Sequence, residues 1–310
     1  MSPFDQTPWE MARSSPRIAR ARRALSAAVG QIADPSLRRA VRAMLAAARG
    51  REPVKALAAA PIQALADCTP GKLAARLPYD PTWAAPAAGP ASHHCYPGGW
   101  AIHTALNTRA ALFLARQAEA DKGVAVDKDS LIAAHLLHDW AKLKLLVWAG
   151  DHTLDDDQGA GHHPLALAEC MLRGLPPSVV RLMAGVHSGW WQEPGAVRRH
   201  LAQAAQLAGI DLEASPYGAA EEDPEILLIE GWIARQAEAS WYTATKTAYQ
   251  AMRAEVDAWH NARGIDVPLS RVRHLLFVTY DEFELAGRLA RDGRRGLYAF
   301  LDAWFRQTAS

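Results

Sequence analysis

The stretch AHLLHDWAK at residues 134–142 decides the fold of this chain. A histidine followed directly by an aspartate, His138 and Asp139, stands there among alanine and leucine residues typical of a buried helix. Burying an unpaired carboxylate costs several kcal/mol, so the pair needs a partner, and a divalent cation is one such partner. Neutral imidazole and ionised carboxylate are both good ligands for divalent metals. The stretch therefore predicts a metal-binding helix.

Helical spacing extends this pattern along a predicted helix over residues 130–149. Positions three and four apart lie on one helical face, so His135, His138, Asp139 and Lys142 are expected to line one face. Lys142 then lies one turn beyond the metal, where its ammonium group is placed to hold a phosphate oxygen. The competing interpretation is a polar surface stripe on an amphipathic helix.

Twelve histidines are present, and several of them flank the central stretch. His103 lies in a predicted helix that begins after a proline and two glycines. His162 and His163 stand at the start of a predicted helix, and His187 ends another. A lone histidine on an apolar face is usually a core residue, but this many around one His-Asp pair favour a metal site.

Two segments carry a resemblance to a known family. HHCYPGGWAIHT at residues 93–104 resembles the entry segment of the HD-superfamily phosphohydrolases, and LLHDWAK at residues 136–142 resembles their central signature. His163-Pro164 and Val186-His187 are similar to later segments that carry ligands in that family. The matched region runs over residues 93–191, roughly a third of the chain.

This resemblance implies an all-α fold, with an HD-domain helical core and additional N- and C-terminal helices. It also implies a site for one or two divalent ions, with Mn, Fe, Co, Ni and Mg all open as the metal. The residues that it assigns as ligands are His103, His138, Asp139, one of His162 and His163, and His187. By the same resemblance Asp139 bridges the ions where two are bound, and Lys142 contacts the substrate phosphate.

Two ligand positions require a choice. His163 is preferred to His162, because the proline that follows it fits the start of a helix. The family closes its site with an aspartate, and the comparable stretch at 230–238 contains none. Glu230 is expected to substitute for it, because it shares a helical face with apolar residues; the competing interpretation is a partly exposed glutamate. Ser188 stands where many family members carry a second histidine.

Three functions are compatible with these residues. The leading hypothesis is metal-dependent hydrolysis of a small phosphate ester, with nucleotides among the candidate substrates and Asp139 and Lys142 as the catalytic residues. The first alternative is an HD-type di-iron oxygenase that acts on a small anionic substrate. The second is a non-catalytic HD module that binds a ligand. The sequence leaves the oligomeric state open.

Composition indicates the expected cellular compartment and bears on whether nucleic acid or a membrane is a partner. Lys plus Arg number 34 and Asp plus Glu 33 in 310 residues, so no electrostatic footprint for nucleic acid is visible. Three widely spaced cysteines favour a reducing compartment over a disulfide framework. No apolar run long enough to cross a bilayer is present, so a cytoplasmic protein without a membrane partner is expected.

The chain divides into three predicted regions. Residues 1–90 are expected to form an N-terminal helical extension and a proline-rich linker, and residues 91–262 the metal-binding core. Residues 263–310 form a C-terminal accessory segment in this prediction. A short strand is predicted over 274–280, because its apolar residues favour extended structure. A helix broken at Gly293 is predicted after it.

Overall fold

The computed structural model describes residues 2–47, 84–88, 92–146, 148, 161–187, 195–218 and 228–309. The regular elements within these ranges are helices, which confirms the predicted all-α class. Most of the proline-rich linker and the loop after residue 148 lie outside the described residues. None of the described helices combines the length and the apolar character that a membrane span requires.

A short 3-10 helix, Pro3–Asp5, precedes the α-helices. In chain order the described α-helices are α1 (Pro8–Ser14), α2 (Pro16–Gln31), α3 (Pro35–Ala47), α4 (Gly99–Lys122), α5 (Lys128–Leu137), α6 (Lys142–Leu145), α7 (His162–Leu172), α8 (Pro177–Gly185), α9 (Ala196–Ala208), α10 (Leu228–Arg263), α11 (Leu269–Thr279) and α12 (Glu282–Ala309).

Local sequence signals set several helix starts. Thr7 caps α1 through a reciprocal pair of hydrogen bonds with Glu10, and a proline follows it at the first helical position. Ser15 caps α2 through a single hydrogen bond, which its side chain accepts from the backbone N–H of Ile18. These caps satisfy N–H groups that the first helical turn leaves without an intrahelical partner.

Helix α4 is the central element of the packing. It contacts α2, α5 and α10, while α7 packs against α9 and α8 packs against α5. Two fully buried tryptophans of this core reach the backbone of neighbouring elements. The indole N–H of Trp100 donates to the carbonyl of Asp139 over 3.1 Å, and that of Trp140 donates to the carbonyl of Met44 over 2.8 Å. The core thereby fixes the backbone of Asp139 and the residue that follows it.

The helix predicted over residues 130–149 is interrupted at this pair. Helix α5 ends at Leu137, and the backbone then makes the tighter bonds Trp140 N–H to Leu137 O (2.9 Å) and Lys142 N–H to Asp139 O (3.1 Å). The prediction of one continuous helical face is therefore wrong. His135 is fully buried on α5, and the Asp139 carboxylate projects instead from the turn.

The strand predicted over residues 274–280 is also wrong. This segment belongs to α11, whose Leu276, Phe277 and Val278 are all buried in the core. Burial against the other helices outweighs the modest preference of these residues for strands. The predicted break at Gly293 is confirmed, because that residue adopts a φ of 65° inside α12.

A buried arginine joins the N-terminal helices to the C-terminal ones. Arg17 on α2 donates from Nη2 to Glu282 Oε2 and to Asp281 Oδ2, each over 2.6 Å. Its Nη1 donates to the carbonyl of Phe277 over 2.6 Å. Glu282 is 1% exposed, so a negative charge on its carboxylate depends on the Arg17 guanidinium.

The boundaries at residues 90 and 262 between the three predicted regions stay a prediction.

We expect Arg17→Ala to lower the free energy of unfolding by about 3–5 kcal/mol, because it leaves the Glu282 carboxylate buried without its cation. Urea denaturation followed by circular dichroism measures this change. The matched control is Arg294→Ala, which breaks an exposed ion pair with Glu255 and is expected to change little. Equal effects of the two variants would contradict the assigned role of Arg17.

Candidate metal centre

The carboxylate of Asp139 lies at the centre of a cluster of imidazoles. Its Oδ2 is 3.1 Å from His103 Nε2 and 3.5 Å from His138 Nε2. Its Oδ1 is 3.4 Å from His162 Nε2 and 3.6 Å from His187 Nε2. Each carboxylate oxygen therefore faces a different pair of histidines. The four histidines lie on α4, directly after α5, at the start of α7 and after the end of α8.

The backbone fixes the orientation of His138. Its Nδ1 lies 2.9 Å from the carbonyl of His135, which makes Nδ1 the protonated nitrogen of the neutral ring. The other nitrogen, Nε2, then carries a lone pair and points toward Asp139. Histidines that bind metal are typically held in this way, by a hydrogen bond from the ring nitrogen that does not face the metal.

Helices α4 and α10 build one side of the cluster. Glu238 on α10 places Oε2 at 3.4 Å from His103 Nε2 and 3.5 Å from His138 Nε2. Asn107 lies one turn after His103 on α4, and its Nδ2 donates a hydrogen bond to Glu238 Oε2. The same Nδ2 atom is 3.1 Å from His103 Nε2. A second buried carboxylate thus joins the first pair of imidazoles.

Glu238, and not Glu230 as expected, is the glutamate that the structure brings to this cluster. The Oε1 of Glu230 accepts a hydrogen bond from the backbone N–H of Asp127 over 2.9 Å, and this residue ties α10 to the start of α5. Helical periodicity does not separate the two glutamates. Glu238 falls on the stripe of α10 that also carries the buried residues Ala234, Thr245, Tyr249, Met252 and Val256, and Glu230 lies one turn before Ala234 on the same stripe.

The start of α7 and the residues after the end of α8 form the second side of the Asp139 cluster. His162 opens α7 and His187 follows the end of α8, and their side chains are 19% and 28% exposed. His162, and not the preferred His163, is the residue whose ring nitrogen the structure places near Asp139. The Nε2 of His163 lies 3.4 Å from the carbonyl of Ala184, and its ring packs between His187 and His200. The first residue of a helix and the second point about 100° apart, so only one faces Asp139.

Among the described residues, two of the groups of side chains with the geometry to hold a metal ion share Asp139. One is His103, His138 and Asp139, and the other is Asp139, His162 and His187; within each group the ligand atoms lie within 4.8 Å of one another. Within the part of the chain that the structure describes, His138 Nε2 and Asp139 Oδ1 make no hydrogen bond. Buried polar atoms left in this state require another partner, and a cation fits this donor set.

Charge interactions within the cluster keep both carboxylates ionised. Burial opposes ionisation of Asp139, but Lys142 and His138 outweigh it and hold the pKa of this carboxyl well below its usual range. The pKa of Glu238 is also well below its usual range, because His103 and His138 outweigh the burial. Lys142 contacts Asp139 directly, with Nζ 2.7 Å from Oδ2, rather than lying a turn beyond it.

Comparison with known proteins gives one similarity. Over 97 residues the chain is 39% identical to the dihydroneopterin 2',3'-cyclic phosphate phosphodiesterase of Methanocaldococcus jannaschii. The matched stretch covers 31% of this chain and 39% of that protein's length. No family model matches the chain, and no solved structure matches it. The chain is thus similar, over part of its length, to an enzyme that cleaves a phosphoric ester.

We expect Glu238→Gln to weaken manganese binding by at least the roughly 10- to 100-fold that even an outer-shell partner of a metal contributes. The matched control is Glu230→Gln on the same helix, which keeps its hydrogen bond to Asp127 and is expected to bind manganese as the unmodified protein does. Equilibrium dialysis followed by elemental analysis measures both. A greater loss in Glu230→Gln than in Glu238→Gln would contradict the assignment.

Proposed function

We propose that this protein is a metal-dependent phosphohydrolase of the HD superfamily that cleaves a small phosphate ester. The observation that carries the proposal is the Asp139 carboxylate, buried between two pairs of imidazoles with one oxygen toward each pair. A single bridging carboxylate with histidines on both sides is a suitable ligand set for two neighbouring divalent ions. The partial similarity to a phosphodiesterase supports the same reaction class.

The proposed ligands fall into two sets that share Asp139. His103, His138 and Glu238 belong to one set, and His162 and His187 to the other. Divalent ions bound there would lower the pKa of a water molecule and polarise the phosphoryl group. The first set is wholly buried, whereas the second is partly exposed, so the substrate is expected to approach from the side of His162 and His187.

Lys142 is proposed to neutralise negative charge at the site. Its ammonium contacts Asp139 Oδ2, and its side chain is 8% exposed, so water screens its charge only weakly. An ammonium group cannot bind a cation. Lys142 therefore pairs with the Asp139 carboxylate and donates a hydrogen bond to a phosphate oxygen of the substrate. In this role it orients Asp139 and stabilises charge that develops on the phosphoryl oxygens.

The partial relative supports a proposal for the substrate class. A 2',3'-cyclic phosphate is a strained diester, and the named substrate of the relative carries this group. We propose that the present chain acts on a cyclic or linear phosphodiester of comparable size. Simple 2',3'-cyclic nucleotides are accessible probes of this class, and phosphomonoesters serve as the comparison set.

With a 2',3'-cyclic nucleotide and manganese, we expect the unmodified protein to produce a phosphomonoester. Lys142→Met should keep its bound manganese but lower kcat by roughly 10²-fold, because it removes one cation that stabilises the transition state. Lys128→Met is the matched control, since Lys128 forms an exposed ion pair with Glu119. Chromatography of the products and elemental analysis provide the two measurements.

Three outcomes would count against parts of this proposal. Full activity of Lys142→Met would remove the lysine from the mechanism. Absence of ester cleavage across cyclic phosphates, diesters and monoesters, with manganese bound, would overturn the hydrolase assignment. Oxygen consumption by the iron-loaded protein without ester cleavage would favour the oxygenase alternative.

A further inference from the structure

A second group of imidazoles lies beside the Asp139 cluster, and two of its members, His93 and His94, are not used by the proposed mechanism. His93, His94 and His103 each bring one ring nitrogen within 4.8 Å of the other two. The ring centroids of His93 and His103 are 4.8 Å apart, and those of His94 and His103 are 5.7 Å apart. All three side chains are at least nine-tenths buried, with 3%, 1% and 0% of their surface exposed.

Each of these histidines has one ring nitrogen without a hydrogen-bond partner among the described residues. The atoms are His93 Nε2, His94 Nδ1 and His103 Nδ1. A buried polar atom without a partner costs about 1–3 kcal/mol, so three in one place imply a shared partner. Because His103 Nε2 faces Asp139, its Nδ1 is the nitrogen left for this second group.

The opposite nitrogens of His93 and His94 are held by neighbouring side chains. Ser92 Oγ lies 3.0 Å from His93 Nδ1, and Glu282 Oε1 lies 3.5 Å from His94 Nε2. Glu282 is fixed in turn by Arg17 and by the hydroxyl of Tyr96, which donates to its Oε1 over 3.3 Å. A carboxylate or hydroxyl behind a histidine is the usual support of a metal ligand, because it sets the tautomer and the ring orientation.

The backbone is shaped to present these rings. His94 has a φ of 46°, in the left-handed region that a residue with a side chain rarely adopts. A Cβ atom at Gly99 would lie 1.9 Å from the carbonyl oxygen of His94, so only glycine allows the start of α4 to approach this loop. Unfavourable backbone conformations of this kind persist where the surrounding structure enforces them, and they occur often at ligand sites.

We propose that His93, His94 and His103 form a zinc site beside the Asp139-centred cluster and share His103 with it. To bind zinc through Nδ1 and the other ion through Nε2, the His103 ring would release its N–H proton to solvent and act as an imidazolate. Three imidazoles with an open fourth position are a common zinc ligand set, and nitrogen ligands favour zinc over magnesium or manganese. The ion holds the 92–99 loop against α4 and, through Glu282, against α12. This site goes beyond the proposed hydrolase function, because His93 and His94 take no part in that function and His103 alone is shared.

The proposal is tested by zinc stoichiometry in full-length variants. His93→Gln and His94→Asn each remove one ligand, and asparagine tolerates the left-handed backbone at residue 94. After zinc loading and gel filtration, each variant should carry about one equivalent of zinc less than the unmodified protein. His260→Asn is the matched control, because His260 lies outside both clusters and bonds to the carbonyl of Val267. Its zinc content should be unchanged.

A second measurement separates this site from the Asp139 cluster and begins from a variant that keeps all three histidines. In Asp139→Asn, which loses the shared ligand of the other cluster, titration with cobalt(II) should still give visible absorption that saturates at about one equivalent. Zinc should then displace the cobalt. Adding His94→Asn to this variant should abolish the absorption, because it removes a ligand of the second group only. Unchanged zinc content in His93→Gln and His94→Asn, or absence of the cobalt signal in Asp139→Asn, would overturn the proposal. Neither result would alter the test of ester cleavage.

Discussion

The buried carboxylate of Asp139 is the group on which the rest of the structure depends. Asp139 is 1% exposed and remains ionised, so positive charge or lone-pair donors bound to a cation must surround it. Lys142 provides one such charge directly, at 2.7 Å. The four histidines around the carboxylate provide nitrogen donors but no fixed charge of their own, which is the arrangement that a divalent cation completes.

The helices meet at this carboxylate through their ends as well as their faces. The His-Asp pair lies in the turn after α5, His162 opens α7 and His187 follows α8, while α4 and α10 contribute side chains from their buried faces. Ends of helices allow a side chain to project at an angle that a continuous helix does not offer. Two tryptophan indoles, from Trp100 and Trp140, hold the central turn in place.

Much of the site could be predicted because its signals are local. A His-Asp pair in an apolar stretch, with histidines beside predicted helix boundaries, is visible without any structure. The closing carboxylate was not predicted, because both Glu230 and Glu238 lie on buried parts of α10 and only the packing against α4 and α5 separates them. Likewise, neighbouring positions such as His162 and His163 differ only in the direction that the first turn of α7 gives them.

The errors in the fold have a related cause. Leu276, Phe277 and Val278 favour a strand as isolated residues, yet they pack within a helix against an all-helical core. The continuous periodicity of residues 130–149 conceals the turn at the His-Asp pair, because the turn keeps its residues as buried as a helix would. Long-range contacts decide both cases, and a single sequence does not contain them.

Anomalous scattering from crystals grown with manganese tests the central claim most directly. The account predicts ions on both sides of the Asp139 carboxylate, about 3.5–4 Å apart, with one beside His103 and His138 and the other beside His162 and His187. Absence of any anomalous peak within bonding distance of Asp139, with manganese in excess, would contradict the account.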